Sequence, residues 1–347
     1  MSSTPASPRL LLDRTALAAN WRWLAAASGA AVCGAAIKAD GYGLGATEVM
    51  TTLAAAGCRD FLVAHWSEVT ALGPLPPGAS VAVLHGVQVG EMALARRSSA
   101  RPVLSTPAQI AAWKSAGGGI CDIMVDTGMS RLGLAPAEAA SGLLDGLALD
   151  TLHSHLACAD EPAHPLNARQ CADFTALVAA IKPPRASLAN SAGILLGRDY
   201  HFGLTRPGLG LYGGQPVANG QLPLAQVARI AAPVVQVRNV VAGASIGYGA
   251  SFVAPAALKV AIVGLGYADG YRRAFAGNGH ARVNGTACAV LGRVSMDLLV
   301  IDASAVDIAE GDTVAMDFEL AAAAAATGIS QYELLTGLGQ RYSRCWT

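Results

Sequence analysis

The chain has 347 residues, 53% of them hydrophobic and 14% charged, with 24 Lys+Arg against 24 Asp+Glu. That length accommodates two domains, and so apolar a composition excludes disorder over most of it. Zero net charge leaves no basic footprint for nucleic acid or for an acidic membrane surface. The cysteines at 33, 58, 121, 158, 171, 288 and 345 are odd in number and never form a C-x-x-C pair. A disulfide framework or a zinc site is therefore not expected, and a reducing cytoplasm is. No stretch has the zones of a signal peptide, and the apolar run 16–37 is interrupted by Asn20 and Arg22, so no membrane span is expected.

In chain order, the residues before Arg9 read as a disordered tail and Leu10 to Leu12 as a short strand. Asp13 is a good N-cap for a helix carrying Leu17, Trp21 and Leu24 at helical spacing. An apolar run, Ala31 to Ile37, then delivers Lys38, followed at once by Asp40, Tyr42 and glycines at 41, 43 and 45. Further apolar runs lie at 61–64, 81–84, 102–104, 120–125, 152–156, 185–188 and 204–212. Helix signals fall between several of them, such as Thr106-Pro107 before a stretch closed by Gly117. About eight strands alternating with helices predict a (β/α)₈ barrel of the TIM type. Beyond Gly220 helical periodicity is scarce and the runs are β-rich: 234–241, 258–265, 281–283, 286–291, 298–302 and 313–316. Asn284-Gly285 is a hairpin signal and Ser330 to Glu333 a capping box. The division expected is a barrel over 1–223 and a separate C-terminal β domain over 224–347.

In such a barrel the chemistry gathers just past the C-terminal ends of the strands. Lys38 and Tyr42 follow the first run, and His65 and His85 the next two. Asp126 to Arg131, then His153 and His155, then Asn190-Ser191, then Arg206 follow later ones. A lysine desolvated at a strand end can lose its proton, and a neutral amine condenses with an aldehyde. Each group has a plainer reading: Lys38 as a surface lysine beside a glycine turn, His65 and His85 as packed or solvated, Asp126 as a turn cap. Asn190-Ser191 is also a plausible helix start. His153 and His155 share a strand face, so only one of them reaches the strand's end. Gly208-Leu209-Gly210-Leu211-Tyr212-Gly213 fits G-x-G-x-x-G, but a dinucleotide site wants an acidic residue about 20 positions on, and none occurs between Asp199 and Asp269. The glycines can still close backbone amides on one phosphate. A phosphate-bearing cofactor beside an aldehyde-ready lysine points to pyridoxal phosphate. Acidic clusters suited to a metal are not prominent.

Eight motifs in order then carry a resemblance over nearly the whole chain. They are Ile37-Lys38-Ala39-Asp40-Gly41-Tyr42-Gly43, Asp126-Thr127-Gly128-Met129-Ser130-Arg131-Leu132-Gly133, Ser154-His155-Leu156-Ala157, Asn190-Ser191-Ala192, Arg206-Pro207-Gly208, Gly247-Tyr248-Gly249, Gly266-Tyr267-Ala268-Asp269-Gly270 and Ser295-Met296-Asp297. The chain resembles the alanine racemases of the pyridoxal-phosphate barrel class. The resemblance implies a cytoplasmic homodimer that interconverts L- and D-alanine with pyridoxal 5'-phosphate, sharing its active sites between subunits, for peptidoglycan precursors or for D-alanine breakdown. Lys38 would hold the cofactor covalently and act as one base, and Tyr248 of the partner subunit as the other. Tyr42, Ser191 and the amides of Gly208 and Leu209 would bind the phosphate. Arg206 would face the pyridine nitrogen, with His155 beside it. Arg131 and the Met296 amide would hold the substrate carboxylate, and Asp160, Tyr267, Arg273 and Arg293 would line the entry channel.

Three positions depart from the family pattern. Met124 stands where many relatives carry a carbamylated lysine bonded to the arginine, so Arg131 must be positioned by an anion or another polar group. Ser295 stands where cysteine is common, and Gln340 near a site where some relatives place a tyrosine. Alternatives are a serine or broad-specificity racemase, an amino-acid decarboxylase of this architecture and a non-catalytic pyridoxal-phosphate-binding protein. A dinucleotide-dependent reductase is more remote.

Overall fold

The computed structural model describes residues 7–217 and 220–347. The tail expected before Arg9 lies mostly outside them. Of its described part, the Pro8 carbonyl accepts from the Ser343 amide at 3.0 Å. Two compact units emerge, Ala16–Ala225 and a second built from the residues through Thr15 together with Gln226–Thr347.

The first unit is the barrel that the alternating pattern predicts. Its opening strand is in two halves, Val32–Cys33 and Ala35–Ala36. At the break, a side chain on Gly34 would crowd the Asp60 and Thr205 carbonyls. Parallel pairing runs in sequence from Ala35–Ala36 through Asp60–Val63, Ser80–Val83, Arg101–Leu104, Ile120–Met124 and Ala148–His153 to Arg185–Ser187. Leu204–Thr205 closes the ring. The Gly203 amide donates to Ala186 O on one side, and Leu204 and Thr205 pair with Val32 and Cys33 on the other. Each parallel step needs a crossover, commonly a helix that covers the outer face, so strands such as Asp60–Val63 are buried along their whole length. The Thr106 side chain caps the helix Pro107–Ser115 by accepting from the Gln109 amide, as its sequence predicts. The run 204–212 is strand only at its start. Pro207 cannot donate to a ladder, and Leu209–Tyr212 winds into a short 3₁₀ turn.

Charges seal the N-terminal end of this barrel. The Arg185 Nη2 lies 2.9 Å from Asp60 and 2.7 Å from Asp150, and Arg101 reaches Asp122 at 3.2 Å and Asp150 at 3.4 Å. Asp122 is fully buried, and its second oxygen meets His153 Nε2 at 3.2 Å. Every cation there faces a carboxylate.

The second unit is antiparallel. The strand Ala228–Val240 pairs with Arg9–Leu12, with Thr313–Met316 and with Leu258–Val263. Leu258–Val263 also pairs with Leu299–Asp302, and the order continues through Thr286–Leu291 and His280–Val283 back to Thr313–Met316, closing six strands into a ring. Asn284 and Gly285 both take positive φ (49° and 85°), as the tight hairpin they predict requires. Ala228–Val240 starts earlier than the run that began at Val234. It tolerates Pro233 because the register slips by one residue just beyond it, between Val234 and Gln236. The N-terminal strand departs from the division expected at 1–223. Leu10 and Leu12 alternate inward, and Arg9–Leu12 lies between Ala228–Ala231 and the C-terminal strand Ser343–Trp346, so the two ends of the chain share one sheet.

Candidate active site

The C-terminal end of the barrel gathers Lys38, Tyr42, Arg131, His155, Ser191 and Arg206. Lys38 leaves its strand into an unusual turn. Ala39, Asp40, Gly41, Tyr42 and Gly43 all take positive φ, between 54° and 87°, and wind one left-handed turn. Each non-glycine residue in that conformation costs about 1–2 kcal/mol, so three of them must be held by their surroundings. The Gly41 amide donates to Ile37 O (2.8 Å) and the Gly43 amide to Ala39 O (2.8 Å). Asp40, to which the sequence assigned no role, accepts from the Ala46 amide at 2.9 Å and so ties the turn to the following helix. Tyr42 is buried with its ring stacked on Tyr212, the centroids 4.7 Å apart.

Burial pushes the Lys38 amine below the ordinary lysine range, and the charges of Arg131 and Arg206 add to the effect. Glu68 opposes them. Its carboxylate is the nearby anion that sequence reading passed over, because Glu68 looks like an ordinary N3 residue of the helix Trp66–Leu72.

Arg206 is buried. It donates to Ser187 Oγ, to Ser154 O at 2.7 Å and to His155 Nδ1 at 3.5 Å. Burial brings its pKa down to about 10, which leaves it protonated at neutral pH. Burial, with Arg206, Arg131 and Lys38 around it, takes His155 down to about 3, so the imidazole is neutral and accepts from Arg206. His155 is therefore the histidine that passes the strand's end. His153 points into the barrel interior onto Asp122. Gln170 braces the loop beyond, donating to His155 O and accepting from the Ala157 amide, both at 2.9 Å.

Ser191 precedes the short 3₁₀ turn Gly193–Leu196, and the neighbouring Asn190 Oδ1 accepts from the Gly193 amide. The Ser191 Oγ accepts from the Gly208 (2.9 Å) and Gly210 (3.2 Å) amides, with Leu209 buried between them. A hydroxyl that accepts twice still has its O–H to donate. The Tyr42 hydroxyl lies so close to Gly208 that a Cβ there would run into it. Hydroxyls and glycine backbone thus meet in a cradle shaped for a small anion such as a phosphate ester. The G-x-G-x-x-G run serves this cradle and opens no dinucleotide-type helix.

Asp126 accepts from the Gly128, Met129, Ser130 and Arg131 amides at 2.8–3.1 Å. Burial raises its pKa, but these four bonds outweigh that and hold the carboxyl below its usual range. The turn it organises presents an exposed Arg131, whose guanidinium makes no hydrogen bond or ion pair among the described residues. Met124 packs with Leu62, Ala82 and Val103, so the place of the family's modified lysine is an apolar floor. His65 and His85 meet edge to face at 4.1 Å. Asp160 is exposed on the loop before the helix Pro165–Ile181.

The second unit carries the other residues. Tyr248 is 70% exposed, on a short turn whose Gly249 lies against the Arg293 guanidinium. The loops holding Tyr267 and Met296 run side by side, with the Tyr267 amide on Ser295 O and the Ala268 amide on Met296 O, both 3.0 Å. The Arg273 guanidinium lies over the Tyr267 ring at 5.3 Å. Arg341, unremarked in the sequence, staples these loops. It grips the buried Asp269 with two nitrogens (2.7 and 2.9 Å) and Asp297 with a third (2.7 Å).

Fold and site define a class: a (β/α)₈ barrel followed in sequence by an antiparallel β unit, with a desolvated lysine, a buried arginine and an anion cradle at the barrel's C-terminal end. Residues 12–216 match the family model described as alanine racemase, N-terminal domain, and residues 227–346 match alanine racemase, C-terminal domain. The chain belongs to the alanine racemase family. It is 42% identical to a catabolic alanine racemase of Agrobacterium fabrum, over 98% of this chain and 92% of that one. It is 39% identical to the biosynthetic alanine racemase of the same organism, over 97% and 93%. The crystal structure of alanine racemase from Bartonella henselae with covalently bound pyridoxal phosphate superposes with a TM-score of 0.91 at 33% identity, covering 99% of this chain and all of that one.

Proposed function

We propose that this protein is a pyridoxal-phosphate-dependent alanine racemase that moves protons with two bases, Lys38 and the Tyr248 of a partner subunit in a homodimer. The observation that carries the reading is Lys38 itself, a lysine at a strand end whose proton is disfavoured by burial and by two arginines. The residues present fit the cofactor. Ser191, Tyr42 and the amides of the Gly208–Gly210 segment suit its phosphate, an amine whose proton is disfavoured suits its aldehyde, and a buried, protonated Arg206 suits its pyridine nitrogen.

When bound, the cofactor withdraws electrons from the substrate Cα and so makes its proton removable. The protein must then take that proton from one face and return one to the other. Lys38, whose proton burial and the two arginines disfavour, accepts a proton at Nζ. Tyr248 serves the opposite face through its phenolic oxygen, with Arg293 packed on its turn. Arg206 donates a hydrogen bond without surrendering its proton, because even at about 10 its pKa lies well above neutrality. His155, neutral, fixes the Arg206 fork by accepting from it. Arg131, whose guanidinium meets no carboxylate among the described residues, holds the substrate carboxylate together with the Met296 amide. Asp160, Tyr267, Arg273 and Arg293 line the approach.

The names its relatives carry favour alanine over serine as the substrate. Among the described residues no helix is long and apolar enough to cross a membrane, and no His, Cys, Asp and Glu cluster could hold a metal ion. Seven free cysteines support a reducing cytoplasm as the site of action. The test is an absorbance scan of purified protein for a cofactor band lost in Lys38→Ala, paired with polarimetry on L-alanine and L-serine. The proposal expects loss of rotation with L-alanine and a much slower loss with L-serine. A band unchanged in Lys38→Ala overturns it.

A further inference from the structure

Glu68 makes contacts beyond those its helix needs. As the third residue of Trp66–Leu72 it closes a capping box, with Oε2 accepting from the His65 amide at 3.0 Å and the Ala64 amide at 2.6 Å. Its other oxygen, Oε1, accepts from the Ala39 amide at 2.5 Å, 29 residues back in the chain. Ala39 directly follows Lys38 and is the first left-handed residue of the turn, at φ 55° and ψ 48°. One carboxylate therefore binds the start of the strained turn to the end of the next barrel strand, Asp60–Val63. It is also the one anion that opposes burial, Arg131 and Arg206 at the Lys38 amine.

We propose that Glu68 is a positioning residue for Lys38, clamping the left-handed turn through the Ala39 amide and supplying the negative charge that keeps the lysine able to carry a proton. This rests on the assignment of Lys38 as cofactor anchor and base. The two roles separate by chemistry. A base that must give back the proton it takes needs a proton affinity neither too high nor too low. Two arginines and burial would drive it too low without a compensating anion, and the other groups that act on Lys38 or feel it, His155 and His85, supply none. The turn, in turn, holds two alanine- or aspartate-sized residues and a tyrosine in a conformation L-residues resist, so its entry point needs a fixed acceptor.

Glu68→Gln tests both roles. Glutamine has one acceptor oxygen, so it can serve Ala39 or the Ala64/His65 pair but not both, and it has no charge. Adding Ala39→Gly relieves the left-handed residue without restoring the charge. The readouts are steady-state kinetics and the rate at which cofactor-stripped protein captures pyridoxal phosphate, followed by absorbance from about pH 6 to about pH 10. For Glu68→Gln we expect kcat to fall about 10- to 100-fold with KM for alanine changed by less than about threefold. We also expect the midpoint of the capture profile to move down by about one pH unit, because loss of an anion disfavours the protonated amine. In Ala39→Gly/Glu68→Gln, kcat should recover by roughly fivefold or more while the midpoint stays low. Unchanged kcat and midpoint in Glu68→Gln overturn the proposal, and so does a loss of kcat that Ala39→Gly does not relieve. If Glu68→Gln is not recovered folded, a folded double variant supports the clamp, and failure of both to fold overturns it in favour of a general structural role. Failure of the functional reading looks different: native protein then captures no cofactor at Lys38 at all.

Discussion

The two ends of the barrel use charge in opposite ways. At the N-terminal end Arg101 and Arg185 sit among Asp60, Asp122 and Asp150, and each cation meets a carboxylate within 3.4 Å. At the C-terminal end the half-buried Lys38, the exposed Arg131 and the buried Arg206 have almost no acid to answer them. Arg206 donates to a serine, a carbonyl and a histidine, and Glu68 spends both oxygens on backbone amides. Removing one partner from a buried charge pair is costly, and cations left without a carboxylate create a place for an anion. The same residue types thus serve stability at one end and chemistry at the other.

Several experiments press on this contrast. The largest effect belongs to the unpaired end: Lys38→Ala should lower racemisation by about 10³-fold or more while the melting temperature stays close to the native one. Mixing Lys38→Ala with Tyr248→Phe subunits should restore part of the activity, since one mouth of the mixed dimer then holds both native bases, whereas a mixture as inactive as its components argues against shared sites. At the paired end, Arg185→Met should cost about 2–4 kcal/mol in denaturant unfolding, because Asp60 and Asp150 lose a partner, yet leave kcat of the folded enzyme within about twofold. A large fall in kcat there would blur the contrast.

Acid should act on both ends with one sign. His155 and His153 are held below the free imidazole value, chiefly by burial. Asp126 and Asp150 sit below the usual carboxylate range because hydrogen bonds and arginines outweigh burial. In each case the unfolded chain binds the proton more readily, so stability falls as pH falls. The decline should begin below about pH 6.5 with the histidines and steepen below about pH 4 with the carboxylates. A denaturation midpoint flat across that range contradicts the burial assigned to His155. The smallest effect is expected from Arg341→Met, which unstaples the loops of Tyr267 and Met296 and should lower the melting temperature by roughly 2–4 °C.

Much of the barrel was legible because each of its strands is a short apolar run ended by turn residues. The eight runs from Ala31 to Tyr212 each mark one of the eight strands, most within a residue or two of its ends, but Ala148–His153 starts well before the run 152–156 and the run 204–212 is strand only over Leu204–Thr205. The N-terminal strand was legible as a strand but not as a partner of Ser343–Trp346, since nothing local says which sheet an isolated three-leucine run will join. The strand Ser343–Trp346 itself is too polar to announce itself. At the site, residue types at strand ends singled out Lys38, Arg206 and Ser191. What stayed hidden was geometry that backbone strain creates. A left-handed turn through Ala39, Asp40 and Tyr42 has no compositional signature beyond its glycines, so the supports it needs, Asp40 and Glu68, read as a turn residue and a helix cap. Arg341 was hidden for a related reason, because its two aspartates come from motifs far apart in the chain.

The central claim is that Lys38 alone among the four lysines of this chain is reactive toward the cofactor's aldehyde. Reduction of the native, cofactor-loaded protein with borohydride, followed by peptide mass analysis, measures this directly. The account predicts one pyridoxyl group per chain, on the peptide containing Lys38, with Lys114, Lys182 and Lys259 unmodified. Label on any of those three, or none on Lys38, would contradict it.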